Sequence, residues 1–247
     1  MPTINDLSWH DLRGLQDLIR ESLKGCAHLE EAAQSCASLL YETFNPPPVL
    51  VRLYGTVPFA DLPRDNREFV SRLAEEKGIT RLIDRRTPVL SLLGSRGARP
   101  AWNDRRLSKG HVGIPLCAAS FVESIPMVSR MLIEMGMGLK WLDARDVGLV
   151  PGVTDGGPSG LFYVKDARAA VDMGGRHIIA DQDFVLEQDV RTVFGVGGFY
   201  VGGTLVVLLI FTQELVERPV VQRLVPIVNV FKSATIGPVT RGSFFRG

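Results

Sequence analysis

Nineteen consecutive residues without a charge, Val193 to Phe211 (VFGVGGFYVGGTLVVLLIF), constrain this chain more than any other stretch. A run of that length suffices for one membrane-crossing helix. Three features favour two buried strands instead, VFGVGGFYV and TLVVLLIFT, reversed at Gly202-Gly203. The second half is dense in β-branched and aromatic residues, and a glycine pair is a hairpin signal. Each glycine would also cost a soluble helix about 1 kcal/mol. Membrane helices tolerate glycine, so this third feature is the weakest. The expectation is a sheet at the core of the molecule and no membrane span.

The rest of the chain can supply that core. It has 247 residues, 45% apolar and 22% charged, an ordinary globular balance for one large domain or two small ones. We take it as a single domain over 1–247, with a helical N-terminal segment over 1–44 and a tail over 235–247. A net charge of +1 gives no reason to expect nucleic acid or an acidic membrane surface. The N-terminus carries Asp6 and Asp11 and no apolar leader. Cys26, Cys36 and Cys117 form no CxxC and leave one thiol over under any pairing, which points to a reducing, cytoplasmic setting.

Periodicity predicts a helix from Ser8 to Leu23, with Ser8 as cap, Asp11 closing a short capping box and Leu12, Leu15, Leu18 and Ile19 recurring at helical spacing. A second helix runs from Cys26 to Phe44 and is stopped by Pro46-Pro47-Pro48. Val49–Val57 alternates as a strand, Arg67–Lys77 reads as a helix, and Thr87–Leu93 as another strand. Ile114–Leu116 is a short strand, and Phe121–Met137 a helix bent or restarted at Pro126. Gly148–Gly160 is loop by composition, Leu161–Asp166 a strand, and Val220–Ala234 a closing helix kinked at Pro226. Antiparallel strands with flanking helices mean an α+β fold with a central antiparallel sheet.

Between these elements lies a polar loop, Gly94 to Gly113. Within it Arg96, Arg99, Arg105, Arg106 and Lys109 outnumber Asp104, for a local charge of about +4. With Trp102 inside it, the loop could clamp an anionic or aromatic ligand or dock an acidic partner. The plainer reading, which we favour, is a solvated loop with Arg105 and Arg106 facing water.

The segments GLFYVKDA (Gly160–Ala167), ADQDFVLEQDVRTVFGVGGFYVGGTLVVLLIFTQ (Ala180–Gln213) and PAWNDRRLSKGHVGIPL (Pro100–Leu116), in this element order, resemble a GAF-type sensor domain of the PAS/GAF superfamily. The likeness is to input domains of bacterial signalling proteins such as sensor histidine kinases. It implies an antiparallel sheet with a ligand pocket on one face and dimerising helices on the other. Leu15, Leu18, Leu40, Leu224 and Phe231 would then serve a helical homodimer face. The chain stops at Gly247, about thirteen residues after the last expected helix, so no kinase, cyclase or DNA-binding segment is expected to follow. Its output would pass to a downstream signalling protein.

No catalytic motif stands out. There is no GxSxG, HExxH or HxxxH, and the Gly195–Gly198 run lies inside an apolar strand, where it fits neither a dinucleotide fingerprint nor a P-loop. Such glycines would let a ligand or the terminal helix approach the sheet. Cys117 near His111 could form a thiolate pair, but its apolar setting (IPLCAA) reads as structural. His111 or His177 could serve as an axial haem ligand, and Met127, Met131 and Met135 form a flexible stripe at helical spacing. Asp181, Asp183, Glu187 and Asp189 read as turn and capping chemistry.

The expected function is that of a small-molecule-binding sensory or regulatory domain, not an enzyme. A ligand would enter between the sheet and the loop-plus-methionine layer, against Trp102, His111, Met131, Tyr163 and Phe199, and shift the terminal helices. The residues name no cofactor. Two alternatives stand beside this one: a haem-binding gas or redox sensor, and a thiol-dependent enzyme using Cys117.

Overall fold

The computed structural model describes residues 1–108, 110–143 and 159–246. Lys109 and nearly all of the expected loop Gly148–Gly160 lie outside the described residues.

Helix α1 (Trp9–Ser22) opens on a complete capping box: Asp11 donates its N–H to Ser8 Oγ at 3.2 Å, and Asp11 Oδ2 accepts from the Ser8 N–H at 3.0 Å. Gly25, at φ 80°, turns the chain, and α2 (Leu29–Thr43) starts three residues later than its apolar periodicity suggests. The free N–H groups of its first turn are taken up from far along the chain. Leu29 and Glu30 donate to the carbonyls of Ser243 and Phe244 at 2.9 and 2.8 Å. The C-terminus is therefore not a tail from residue 235. Helix α8 (Val225–Thr240) continues to Thr240, and Phe244 beyond it is buried. Within α8, Thr235 bonds Tyr200 Oη and the Phe231 carbonyl, both at 2.6 Å, which holds the helix where a tail was expected.

Among the described residues, six strands form one antiparallel sheet in the order β3-β2-β1-β6-β5-β4. They are β1 (Leu50–Pro58), β2 (Pro88–Gly97), β3 (Gly113–Pro115), β4 (Gly160–Val164), β5 (Thr192–Phe199) and β6 (Leu205–Thr212). The uncharged run thus folds as the β5–β6 hairpin, with Gly202 and Gly203 both at positive φ in its turn. Among the described residues no helix is long and apolar enough to cross a membrane.

Both faces of the sheet are covered. On one, α1, α2 and α8 pack over Val51, Leu53, Leu93, Phe194, Val196 and Leu208. The small residues Ala32, Ala33, Cys36 and Ala37 let α2 come down onto β2. At Gly94 a Cβ would lie 2.4 Å from the Ala33 carbonyl. Four of the five residues assigned to a dimer face, Leu15, Leu40, Leu224 and Phe231, are consumed in this layer at 2% exposure or less. Only Leu18 is exposed, because the helices bury their apolar stripes against their own sheet.

The opposite face carries α3 (Arg64–Glu76) at one edge, α4 (Ala119–Glu123), α5 (Pro126–Glu134) and α6 (Gln182–Glu187). Pro126 restarts the chain as α5, where a proline in the first turn sacrifices no hydrogen bond. The same logic corrects the closing helix. It is two helices, α7 (Arg218–Gln222) and α8, with Pro219 and Pro226 in their respective first turns rather than a kink inside one.

Candidate functional site

Strand alternation places Leu50, Arg52 and Tyr54 of β1 side by side on the second face of the sheet. Above them the covering layer leaves a cavity of about 500 Å³, within the range of small-molecule sites. Leu209 and Phe211 of β6 extend its floor. Trp102, Ser108 and His111 from the loop, Met127 and Met131 from α5, and Ile179 and Phe184 at α6 complete the walls. An aromatic chain braces one side: Phe184 meets Trp102 and Phe211 edge to face, at 5.6 and 5.7 Å between centroids. Arg99 lies over the Trp102 ring at 5.2 Å and pairs with Glu187 at 3.0 Å.

Arg52 is the polar centre. Its Nη1 donates to Tyr54 Oη at 3.2 Å and its Nη2 to Ser108 Oγ at 3.1 Å. Nε is buried without a hydrogen-bond partner among the described residues. Both partners are neutral, and among the described residues no carboxylate pairs with this guanidinium. His111, at φ 54°, sits open to solvent at the mouth. Crowding by protein pushes its imidazolium below the ordinary range, and nearby Arg52 adds to this while Asp181 opposes it. The solvent-exposed side of the ring tempers the desolvation, and the neutral imidazole is the form present at neutral pH.

Of the five expected wall residues, Trp102, His111 and Met131 line this cavity, and Tyr163 and Phe199 do not. Tyr163 points to the helical face, where its hydroxyl donates to the Val216 carbonyl at 2.8 Å and Arg218 covers its ring. Phe199 lies on the cavity side of the sheet but at the turn end of β5, paired with Leu205, well along the strands from Leu209. Arg52 and Tyr54 went unassigned in sequence. The signal was present: a lone charge at the alternating position of an otherwise apolar strand.

The basic loop is neither free nor uniformly solvated. Arg106 is exposed and holds Asp104, but Arg105 is buried and paired with Glu30 at 2.6 Å. Arg96 reaches Glu42. Asp181 caps α6, accepting from the Phe184 N–H at 3.0 Å. Met135 leaves the methionine stripe to fill the notch over Gly160 and Gly197, while Gly198 faces Lys232 of α8. The strand glycines thus admit α5 and the terminal helix to the sheet. Cys117 is half-buried off the cavity wall, and burial pushes its thiol up, the reverse of an activated thiolate. His177 lies off the wall too, bridged to Val171. No cluster of three or more potential metal ligands occurs among the described residues. A second depression, along the exposed charged face of α3 from Arg64 to Glu75, is open and brings no such groups together.

No family model and no curated protein matches the chain in sequence. Solved structures do match its fold. A free methionine-R-sulfoxide reductase from Neisseria meningitidis, in complex with its substrate, aligns over 94% of this chain and 92% of its own at TM-score 0.50 and 14% identity. The phycocyanobilin-bound GAF domain of a cyanobacterial phytochrome aligns over 95% and 98% at TM-score 0.50 and 10% identity. The GAF domain of a phosphoenolpyruvate-protein phosphotransferase from Coxiella burnetii covers 95% and 98% at TM-score 0.48 and 13% identity. The fold is GAF-type. These matches correct one expectation: a chain with this fold is a reductase, so the fold gives no ground for excluding catalysis.

Proposed function

We propose, from a GAF-type fold with one amphipathic cavity against its sheet, that this chain is a small-molecule-binding sensory or regulatory domain. The observation that carries the reading is the cavity itself: about 500 Å³, apolar on most sides, with a guanidinium at its floor that pairs with no carboxylate among the described residues. Apolar walls with a few converging polar groups are how small-molecule sites are built. Neighbours of the same fold hold a bilin in one case and a reductase substrate in another.

The ligand settles against Trp102 and Met127 and holds the loop residues Arg99 to Ser108 against the cavity. That loop is anchored through Arg105 to Glu30 at the start of α2, and Glu30 also accepts from the Arg246 N–H at 3.1 Å. Holding the loop there biases the helical layer, which a downstream signalling protein reads. Three free cysteines fit a cytoplasmic setting.

The test is a thermal-denaturation screen of the full chain against a metabolite panel. A ligand at about 100 times its Kd adds about 2.7 kcal/mol, enough to raise the midpoint by several degrees. Met127→Trp, which fills the cavity from a partly buried position, is expected to abolish the rise. An equal rise in that variant, or a panel without effect on the wild type, would contradict the proposal. Mass analysis of the recovered ligand reports in the same experiment whether it is turned over.

A further inference from the structure

Arg52 is an unusual residue for its place. It lies on a central strand, flanked by Leu50 and Tyr54 and facing Leu209 across the β1–β6 register. A charge there is costly unless something neutralises it. The acids nearby do not. Asp181 is engaged as the cap of α6, Glu187 holds Arg99, and Asp183 is exposed at the rim. Among the described residues, the side-chain partners that Arg52 hydrogen-bonds are two neutral hydroxyls. Ser108 accepts from it and donates onward to the Gly110 carbonyl at 3.2 Å. Tyr54 Oη accepts from it too and has no acceptor for its own proton among the described residues. A guanidinium with unused donors thus stands beside a phenol with an unused proton, at the bottom of an aromatic and methionine-lined cleft.

Resting on the binding function proposed above, we infer that the ligand is an apolar carboxylate, its carboxyl group held by Arg52 and Tyr54 and its body lying between Trp102, Met127 and Phe184. The planar fork of arginine matches a carboxylate, and the phenol supplies a further donor. With Arg52 at the floor and the second lining guanidinium, Arg99, held by Glu187, the cavity provides for one compact anion and not for a polyphosphate. Binding is non-covalent: Arg52 exchanges neutral acceptors for a charged one, and no proton moves.

The experiment is ligand-observed NMR on the full chain with matched pairs: phenylacetate, 3-phenylpropionate, indole-3-acetate and 4-methylpentanoate, each beside its primary amide, with phenyl phosphate included. Wild type is expected to prefer carboxylates over amides by roughly ten- to hundredfold, the range for hydrogen bonds to a charged group. Arg52→Gln should bring the carboxylate-to-amide ratio close to one, and Arg52→Lys should keep part of the preference. Far-UV circular dichroism and the urea unfolding midpoint check folding, and the wild-type pairs decide the matter if Arg52→Gln does not fold. Carboxylates and amides binding alike would overturn this inference and leave the cavity's binding role standing. A preference that survives Arg52→Gln, or phenyl phosphate binding tightest, would also overturn it. If no compound binds, this inference falls, and the metabolite screen alone then decides the binding function.

Discussion

Arg105 shows how one side chain ties distant parts of the molecule together. It is 6% exposed, with its Nε 2.6 Å from Glu30 Oε1, its Nη1 donating to Asn66 at 3.2 Å and its guanidinium 4.7 Å from the Phe245 ring centre. Removing one partner of such a pair leaves the other charge stranded, so Arg105→Ala should cost about 3 kcal/mol in urea unfolding. A cost near zero would show that Glu30 is served well enough by the Arg246 N–H. The thiols make a second test at this scale. Burial raises Cys36 to about 12, and pushes Cys26 and Cys117 above their ordinary value of 9.0. All three are protonated at about pH 7, because a raised thiol pKa keeps the thiolate scarce until the pH climbs past it. Native alkylation followed by mass spectrometry should find Cys117 slower than in the unfolded chain and speeding up with pH, and Cys36 unmodified until unfolding. A Cys117 that reacts faster in the native state would revive a catalytic thiol.

At the scale of elements, the contact between α2 and β2 sets how the helical layer lies on the sheet. Gly94→Ala would press a methyl against the Ala33 carbonyl at 2.4 Å, where backbone rather than a flexible side chain must yield. We expect a loss of about 1–3 kcal/mol in the same unfolding assay; an unchanged midpoint would mean α2 can slide. Elements are also where sequence reasoning reached furthest. The capping box at Ser8, the hairpin at Gly202-Gly203 and the restart at Pro126 are local chemistry and were legible as such. What was not legible was which way each strand faces. β5 and β6 are buried at every position, so neither alternates, and a sheet covered on both sides gives no polar residue to mark inside from outside. Tyr163 was placed on the cavity side for that reason, although pairing of β4 with β5 turns it to the helices. The same ambiguity hid Arg52, whose charge marked the polar position of β1. The end of α8 and the use of Phe244 to close α2 depend on contacts across more than two hundred residues, which no local pattern encodes.

For the whole molecule, the two covered faces have different roles. The helical face is closely packed, with most of its apolar residues spent on the chain's own core, while the other face keeps a cavity whose floor arginine has no ion-pair partner among the described residues. Retaining an open, partly charged site costs stability, and a ligand that fills it returns part of that cost. The most direct measurement is a backbone and arginine side-chain NMR titration of the full chain with 3-phenylpropionate. The account predicts that the largest shifts fall together on Arg52, Tyr54, Trp102 and His111, with smaller ones reaching Arg105 and Glu30. Shifts confined to the outer surface of the helical layer, or scattered without a centre at Arg52, would contradict it.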